Sequence, residues 1–64
     1  MNGAVREFDE AKGLGVIAGD DERDFPFHCI EIADGTRTIG AGQAVTFRVL
    51  PRFGAFQAGA IEKR

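Results

Sequence analysis

The stretch Gly42-Gln43-Ala44-Val45-Thr46-Phe47-Arg48-Val49-Leu50-Pro51 decides the class of this fold. Val45, Phe47 and Val49 alternate with Thr46 and Arg48, so apolar side chains recur at every second position. Successive side chains of a strand point to opposite faces, whereas a helix would need its apolar residues three or four apart. The segment reads as a half-buried strand, opened by Gly42-Gln43 and stopped by Pro51. Downstream, Gly54 marks a turn and residues 56–61 read as a last strand. Upstream, Phe25-Pro26-Phe27-His28 repeats the alternation. Pro26 has no amide hydrogen, so this strand is expected at a sheet edge or with that position turned outward. Residues 5–8 read as the end of a first strand that starts near Gly3, and residues 14–18 as a second. The acidic run Gly19-Asp20-Asp21-Glu22-Arg23 is a solvated turn, residues 30–32 a short helical turn, and Asp34-Gly35-Thr36-Arg37 a loop. No window carries a 3.6-residue period. Five short strands with Gly-rich turns predict an all-β chain, a small barrel or sandwich. Closing a barrel would remove most exposed edges.

Composition bounds the rest. Sixty-four residues are one domain, spanning 1–64, near the lower size limit for folding without help. Hydrophobic residues make up 44% of the chain, too many for a disordered segment. The longest weakly polar stretch, Gly13-Leu14-Gly15-Val16-Ile17-Ala18-Gly19, falls far short of the ~20 residues of a membrane span. No basic-then-apolar leader follows Met1, and Cys29 is the only cysteine, so no internal disulfide forms. A cytoplasmic protein with no membrane partner is the expectation. The inward set is expected to be Val5, Ile17, Phe25, Phe27, Ile32, Ile39, Val45, Phe47, Val49 and Ile61.

Net charge is −2, not the balance of a strongly basic nucleic-acid binder. Its distribution is uneven. Residues 1–34 carry three basic and nine acidic side chains, a net of −6, and residues 35–64 carry five and one, a net of +4.

The order of motifs resembles the bacterial cold-shock proteins. Gly3-Ala4-Val5-Arg6-Glu7-Phe8-Asp9 stands where that family reads G-x-V-K-W-F-N, and Lys12-Gly13-Leu14-Gly15-Val16-Ile17 where it reads K-G-F-G-F-I. Asp24-Phe25-Pro26-Phe27-His28-Cys29 is similar to D-V-F-V-H-F, and Gly42-Gln43-Ala44-Val45-Thr46-Phe47 to G-Q-x-V-x-F. Phe56-Gln57-Ala58-Gly59-Ala60-Ile61 is similar to P-Q-A-x-x-V. The resemblance covers essentially the whole chain. It implies a five-stranded antiparallel OB-fold barrel that binds single-stranded RNA or DNA, as an RNA chaperone or a modulator of transcription or translation.

The resemblance also shows what has been replaced. Family members stack bases on aromatic side chains of the first three strands. Here Glu7 holds the Trp position, Leu14 and Val16 the two Phe positions of the first motif, Pro26 and Cys29 two of the second, and Thr36 that of a later loop. Phe8 and His28 keep ring-bearing positions. Base–aromatic stacking is worth ~1–3 kcal/mol per base, so three lost stacks weaken binding by roughly a hundredfold at the low end. The implied site is a reduced platform of Phe8, Leu14, Val16, Pro26 and His28, with Arg6 and Lys12 contacting phosphate.

Other constellations are weaker. Cys29 follows His28, but neighbours on a strand point to opposite faces, so a thiol–imidazole pair is not expected to meet and no enzyme is predicted. Glu7, Asp9 and Glu10 crowd a turn without a calcium-loop spacing, so neither a metal nor another cofactor is expected. Arg37, Arg48 and Arg52 supply most of the positive charge of the second half and are candidates for a basic patch. Phe53 is expected to cap an open barrel end. The alternative function is a protein-interaction module or homodimer, using the aliphatic Leu14, Val16 and Pro26 beside the acidic Glu7 and Asp9.

Overall fold

Alternating burial builds the sheet. In the computed structural model, which describes residues 1–36, 38–52 and 54–64, Phe25 and Phe27 are buried while Asp24, Pro26 and His28 between and beside them are exposed. The strands are β1 (Asn2–Asp9), β2 (Leu14–Gly19), β3 (Asp24–His28), β4 (Ala44–Arg52) and β5 (Ala55–Lys63), and a 3-10 turn (Cys29–Glu31) follows β3. They form one antiparallel sheet in the order β3-β2-β1-β4-β5.

Two irregularities curl that sheet. The register shifts between Val5 and Glu7 in β1 and between Thr46 and Arg48 in β4. An extra residue on one strand bends it and increases its twist. The segment after the 3-10 turn then reaches β5, where Ile32 and Ile61 form a parallel bridge and the Ala33 amide donates to the Ile61 carbonyl at 2.7 Å. The two ends of the sheet thus meet around one core, the architecture expected of an OB-type barrel.

That core consists of Val5, Ile17, Phe25, Phe27, Ile32, Ile39, Val45, Phe47, Ala58 and Ile61. The observed set differs from the expected one in two residues: Val49 is only partly buried, packed against the core, and its cross-strand partner Ala58 on the same face is fully buried. The Phe25 and Phe47 rings meet at 5.2 Å, tilted by 55°. Pro51 does not stop β4. It pairs with Phe56, and Arg52 pairs with Ala55 beyond it. β1 accompanies β4 only along residues 44–46 and Met1 extends the pairing to Phe47, so among the described residues no ladder on that side reaches Pro51 for a proline to break. Arg37 and Phe53 lie outside the described residues, and with them part of the expected basic patch and the expected barrel cap.

Ala60 sits at φ +48 beside the β4–β5 irregularity, a left-handed conformation that crowds its Cβ. Its amide donates to Glu31 Oε1 at 3.3 Å. Left-handed backbone costs a residue with a Cβ roughly 1–2 kcal/mol, and glycine's extra chain entropy takes back about 0.5–1. Ala60→Gly is therefore expected to raise stability by about 0.5–1 kcal/mol, read as a higher urea midpoint at unchanged slope; a lower midpoint would contradict the strain.

The loop beyond Ala33 is tied by its acid. Asp34 Oδ1 accepts from the Thr36 amide at 3.0 Å and from its hydroxyl at 2.8 Å, and Lys63 Nζ lies 3.1 Å from Oδ2. These bonds, the Thr36 amide foremost, lower the carboxyl from its ordinary 3.8 to about 2. A depressed folded value means stability that is present above the unfolded value and lost as pH falls through the folded one. Asp34→Asn is expected to flatten the acid limb of the stability profile between pH 4 and pH 2, measured as urea midpoints. An unchanged limb would show that the loop bonds do not carry that linkage.

Candidate nucleic-acid interface

The outward faces of β1, β2 and β3 present two cross-strand rows. Asp9, Leu14 and His28 are paired in one row, and Glu7, Val16 and Pro26 in the next. Each row thus runs from a carboxylate on β1, through an aliphatic side chain on β2, to a ring on β3. Leu14 is 48% exposed. The rows form the floor of an open groove of about 770 Å³. Lys12 lines it from the β1–β2 turn, and Phe8 and Phe27 show through at Gly15.

Gly15 makes that opening. It pairs with Phe8 on one side and Phe27 on the other, and a Cβ there would lie 2.5 Å from Phe27 Cζ and 2.8 Å from the Glu7 carbonyl oxygen. With no side chain between them, the Phe8 and Phe27 rings stack at 5.8 Å, only 7° from parallel. Phe8 thus belongs to the inner side of the sheet. It is half-buried against the core and reaches the groove by its remaining surface.

The β1–β2 turn is locally determined. Asp9 Oδ1 accepts from the amides of Ala11 at 3.0 Å and Lys12 at 3.2 Å, and Gly13 closes the turn at φ +67 with its amide on the Asp9 carbonyl. His28 is fixed as the cap of the 3-10 turn: Nδ1 accepts from the Ile30 amide at 3.3 Å. A neutral ring that accepts at Nδ1 carries its proton on Nε2, which leaves one donor for a ligand.

Arg6 is placed differently from the other expected site residues. It is the extra residue of the β1 irregularity, and its Nη1 lies 2.8 Å from Asp24 Oδ2. It does not line the groove. The expected separation of Cys29 from His28 also fails: Cys29 Sγ lies 3.7 Å from His28 Nδ1. The strand ends at His28, so alternation no longer governs the next side chain. Among the described residues no cluster of His, Cys, Asp and Glu could hold a metal ion.

Three lining residues escaped the sequence reading, Ile30, Glu31 and Gln57, and Arg52, expected in a separate basic patch, lines the groove with them. Ile30 is 63% exposed. Its exposure follows from the 3-10 turn, because Ile32 points into the core and the turn sends Ile30 the other way. Arg52 and Gln57 come from the β4–β5 hairpin, and the signal for them is the continuation of β4 through Pro51. Arg48 lies apart, in a shallow depression with Thr46, Phe47, Ala60 and Glu62. Arg48 and Arg52 thus do not line a common hollow. The groove carries the carboxylates of Glu7, Asp9 and Glu31 against the cations of Lys12 and Arg52.

Residues 1–63 match the family model described as the 'Cold-shock' DNA-binding domain. Two curated proteins of Lactiplantibacillus plantarum are similar to this chain. Cold shock protein 1 is 45% identical over 47 residues, covering 72% of this chain and 71% of the relative. Cold shock protein 2 is 43% identical over 47 residues with the same coverage. Among the described residues no helix is long and apolar enough to cross a membrane.

Proposed function

The chain belongs to the cold-shock domain family and is a nucleic-acid-binding protein of that non-enzymatic family, and on that premise we propose that it binds single-stranded RNA or DNA weakly in the β1–β3 groove. Unstacked bases lie on Leu14, Val16, Pro26 and His28, with Phe8 at the edge and Lys12 on a phosphate. The physiological outcome is RNA chaperoning or modulation of transcription or translation. The observation that carries this reading is the pair of cross-strand rows, which brings the four outward side chains into one continuous floor. Weak affinity follows from the chemistry of that floor. Aliphatic groups offer contact but no π-face, and three carboxylates face a phosphate chain.

The test is an amide NMR titration of labelled protein with short single-stranded RNA and DNA at low and moderate salt. The chain has no Trp or Tyr, so intrinsic fluorescence offers no substitute. Shifts centred on Phe8, Lys12, Leu14, Val16 and His28 that fade with salt are expected. No shifts under any condition would overturn the reading. A second reading draws on the exposure of Leu14 and Ile30 beside that acidic rim: the same face docks a protein or a second copy. Sedimentation that changes with protein concentration would favour it.

A further inference from the structure

We propose that the β1–β3 face is also a self-association surface, on which a second copy of this chain docks about a two-fold axis parallel to β2 and competes with nucleic acid for the groove. This rests on the second reading above, commits it to one occupant and assigns the register. A two-fold axis lying between two such faces along β2 keeps each cross-strand row over the same row of the other copy and exchanges its ends. Leu14 then meets Leu14 and Val16 meets Val16 at the centre, while Asp9 of one copy stands over His28 of the other, twice. The polarity of the row, with a carboxylate on β1 and an imidazole on β3, makes the face complementary to itself.

The atoms left over in one chain fit that exchange. Asp9 spends Oδ1 on the amides of Ala11 and Lys12, and its Oδ2 is without a partner among the described residues. His28 spends Nδ1 on the Ile30 amide, which leaves the Nε2 proton of a neutral ring as a free donor. Donor and acceptor stand at opposite ends of one row, two strand spacings or about 9–10 Å apart at the backbone. A copy turned about β2 brings them together. The Cys29 amide donates to the Gly13 carbonyl, so the β1–β2 turn and the 3-10 turn lie side by side. The same rotation therefore carries Lys12 of one copy toward the turn that holds Ile30 and Glu31 of the other. Leu14 and Ile30 are exposed apolar side chains that a second sheet would remove from water. Edge-to-edge pairing, the other route by which sheets associate, is blunted on the open sides of β3 and β4. The Cys29 amide faces β2, so by alternation residues 28, 26 and 24 turn their nitrogens outward, and Pro26 has no hydrogen to offer. The Phe47 amide faces Met1, so residue 51 turns its nitrogen to that same side beyond the end of β1, and Pro51 has none either. Association is thereby steered to the face.

The experiment is sedimentation equilibrium of the full chain from about 10 µM to about 1 mM, the range in which a small, partly wet interface assembles. The average mass is expected to rise from 6.9 kDa toward twice that value. Leu14→Lys sets two ammonium groups against each other on the axis and is expected to raise the dissociation constant by at least about tenfold. Asp9→Asn keeps Oδ1 for the turn and replaces the free acceptor with a donor in both copies, a loss of about tenfold. Arg48→Ala lies in the separate depression and leaves association unchanged. Oligothymidine added to the associated protein is expected to separate the copies. A chain that stays monomeric to the top of the range overturns the proposal, and the nucleic-acid reading then stands or falls on its own titration. Association that survives both Leu14→Lys and Asp9→Asn, or that persists with oligothymidine bound, shows that the copies meet elsewhere and overturns the assignment to this face. Association that both variants weaken in a chain that binds no oligonucleotide upholds the proposal and removes the nucleic-acid reading instead.

Discussion

Leu14→Phe, Val16→Phe and Pro26→Phe together are expected to tighten binding of a short oligothymidine or oligouridine by at least about a hundredfold. The reason is additive. Each substitution puts a π-face where the proposed path lays a base, and base–aromatic stacking is worth ~1–3 kcal/mol per base, so three stacks contribute about 3 kcal/mol even at the lower end. The geometry permits the larger rings. Leu14 and Pro26 are exposed and Val16 half-buried, and all three point away from the core. Val16 pairs directly with Pro26, and Leu14 with His28, so new rings would join an existing row. Surface changes of this kind normally leave stability within about ±0.5 kcal/mol. The readout is anisotropy of a labelled oligonucleotide, with the urea midpoint as the control. A gain under tenfold in a folded triple variant would show that bases do not lie on this row. Adding Glu7→Trp would extend the Glu7–Val16–Pro26 row, remove a carboxylate facing the phosphates and supply a fluorophore that the sequence lacks.

The same argument explains what the replaced residues have done to the surface. Glu7 and Asp9 stand at the β1 end of both rows, so the −6 balance of residues 1–34 is concentrated where a strand would lie. Among the described residues, the positive balance of residues 35–64 reaches the groove only through Arg52. Binding to this face would depend on how those opposed charges divide one short length of phosphate, and its salt dependence is expected to be shallow.

Much of this was legible in the sequence. Period-2 alternation in 25–28 and 44–49 marked the strands and which side chains point inward, because burial of one face imposes that period on any half-buried sheet. Glycines and the acidic cluster at 19–23 marked the turns. What the sequence hid was tertiary. Val49 has the right period to face the core and does so only partly buried, while the register of β4 against β5 brings the fully buried Ala58 beside it. Phe8 holds a position that the family resemblance assigns to the outer surface, and the missing side chain of Gly15 lets it stack on Phe27 instead. Pro51 read as a terminator because a proline cannot donate, yet β4 had already left β1 before reaching it. That one misplaced boundary left Arg52 in an expected basic patch of its own and concealed that it lines the groove together with Gln57. Arg6 was legible as a cation, but its commitment to Asp24 required the two strands to be laid side by side.

Phe25→Ala is expected to bring the folded chain to the edge of unfolding at 25 °C and to weaken nucleic-acid binding without touching the groove. Phe25 is 1% exposed and lies against Phe47, with the Arg23 guanidinium 5.0 Å above its ring. Truncating a buried phenylalanine costs about 3–5 kcal/mol, through lost transfer energy and the cavity left behind. A chain this short buries a smaller share of its surface than a larger domain, which puts its net stability near the bottom of the usual range of about 5–15 kcal/mol. The loss therefore consumes most of what holds the sheet together. Phe56→Ala is the contrast, since Phe56 is 53% exposed and its truncation should move the urea midpoint little. The effect on binding follows from alternation: Pro26 stands between Phe25 and Phe27, so the groove floor is the reverse side of the same strand. Ligand offsets only part of the loss. An oligonucleotide at ten times its Kd adds only about 1.4 kcal/mol, less than half of the expected loss. A Phe25→Ala amide spectrum that stays dispersed, with binding intact, would place the stability of this sheet elsewhere than in the Phe25–Phe47 contact. A collapsed spectrum that the oligonucleotide does not restore would show that the groove exists only while the core behind it is filled.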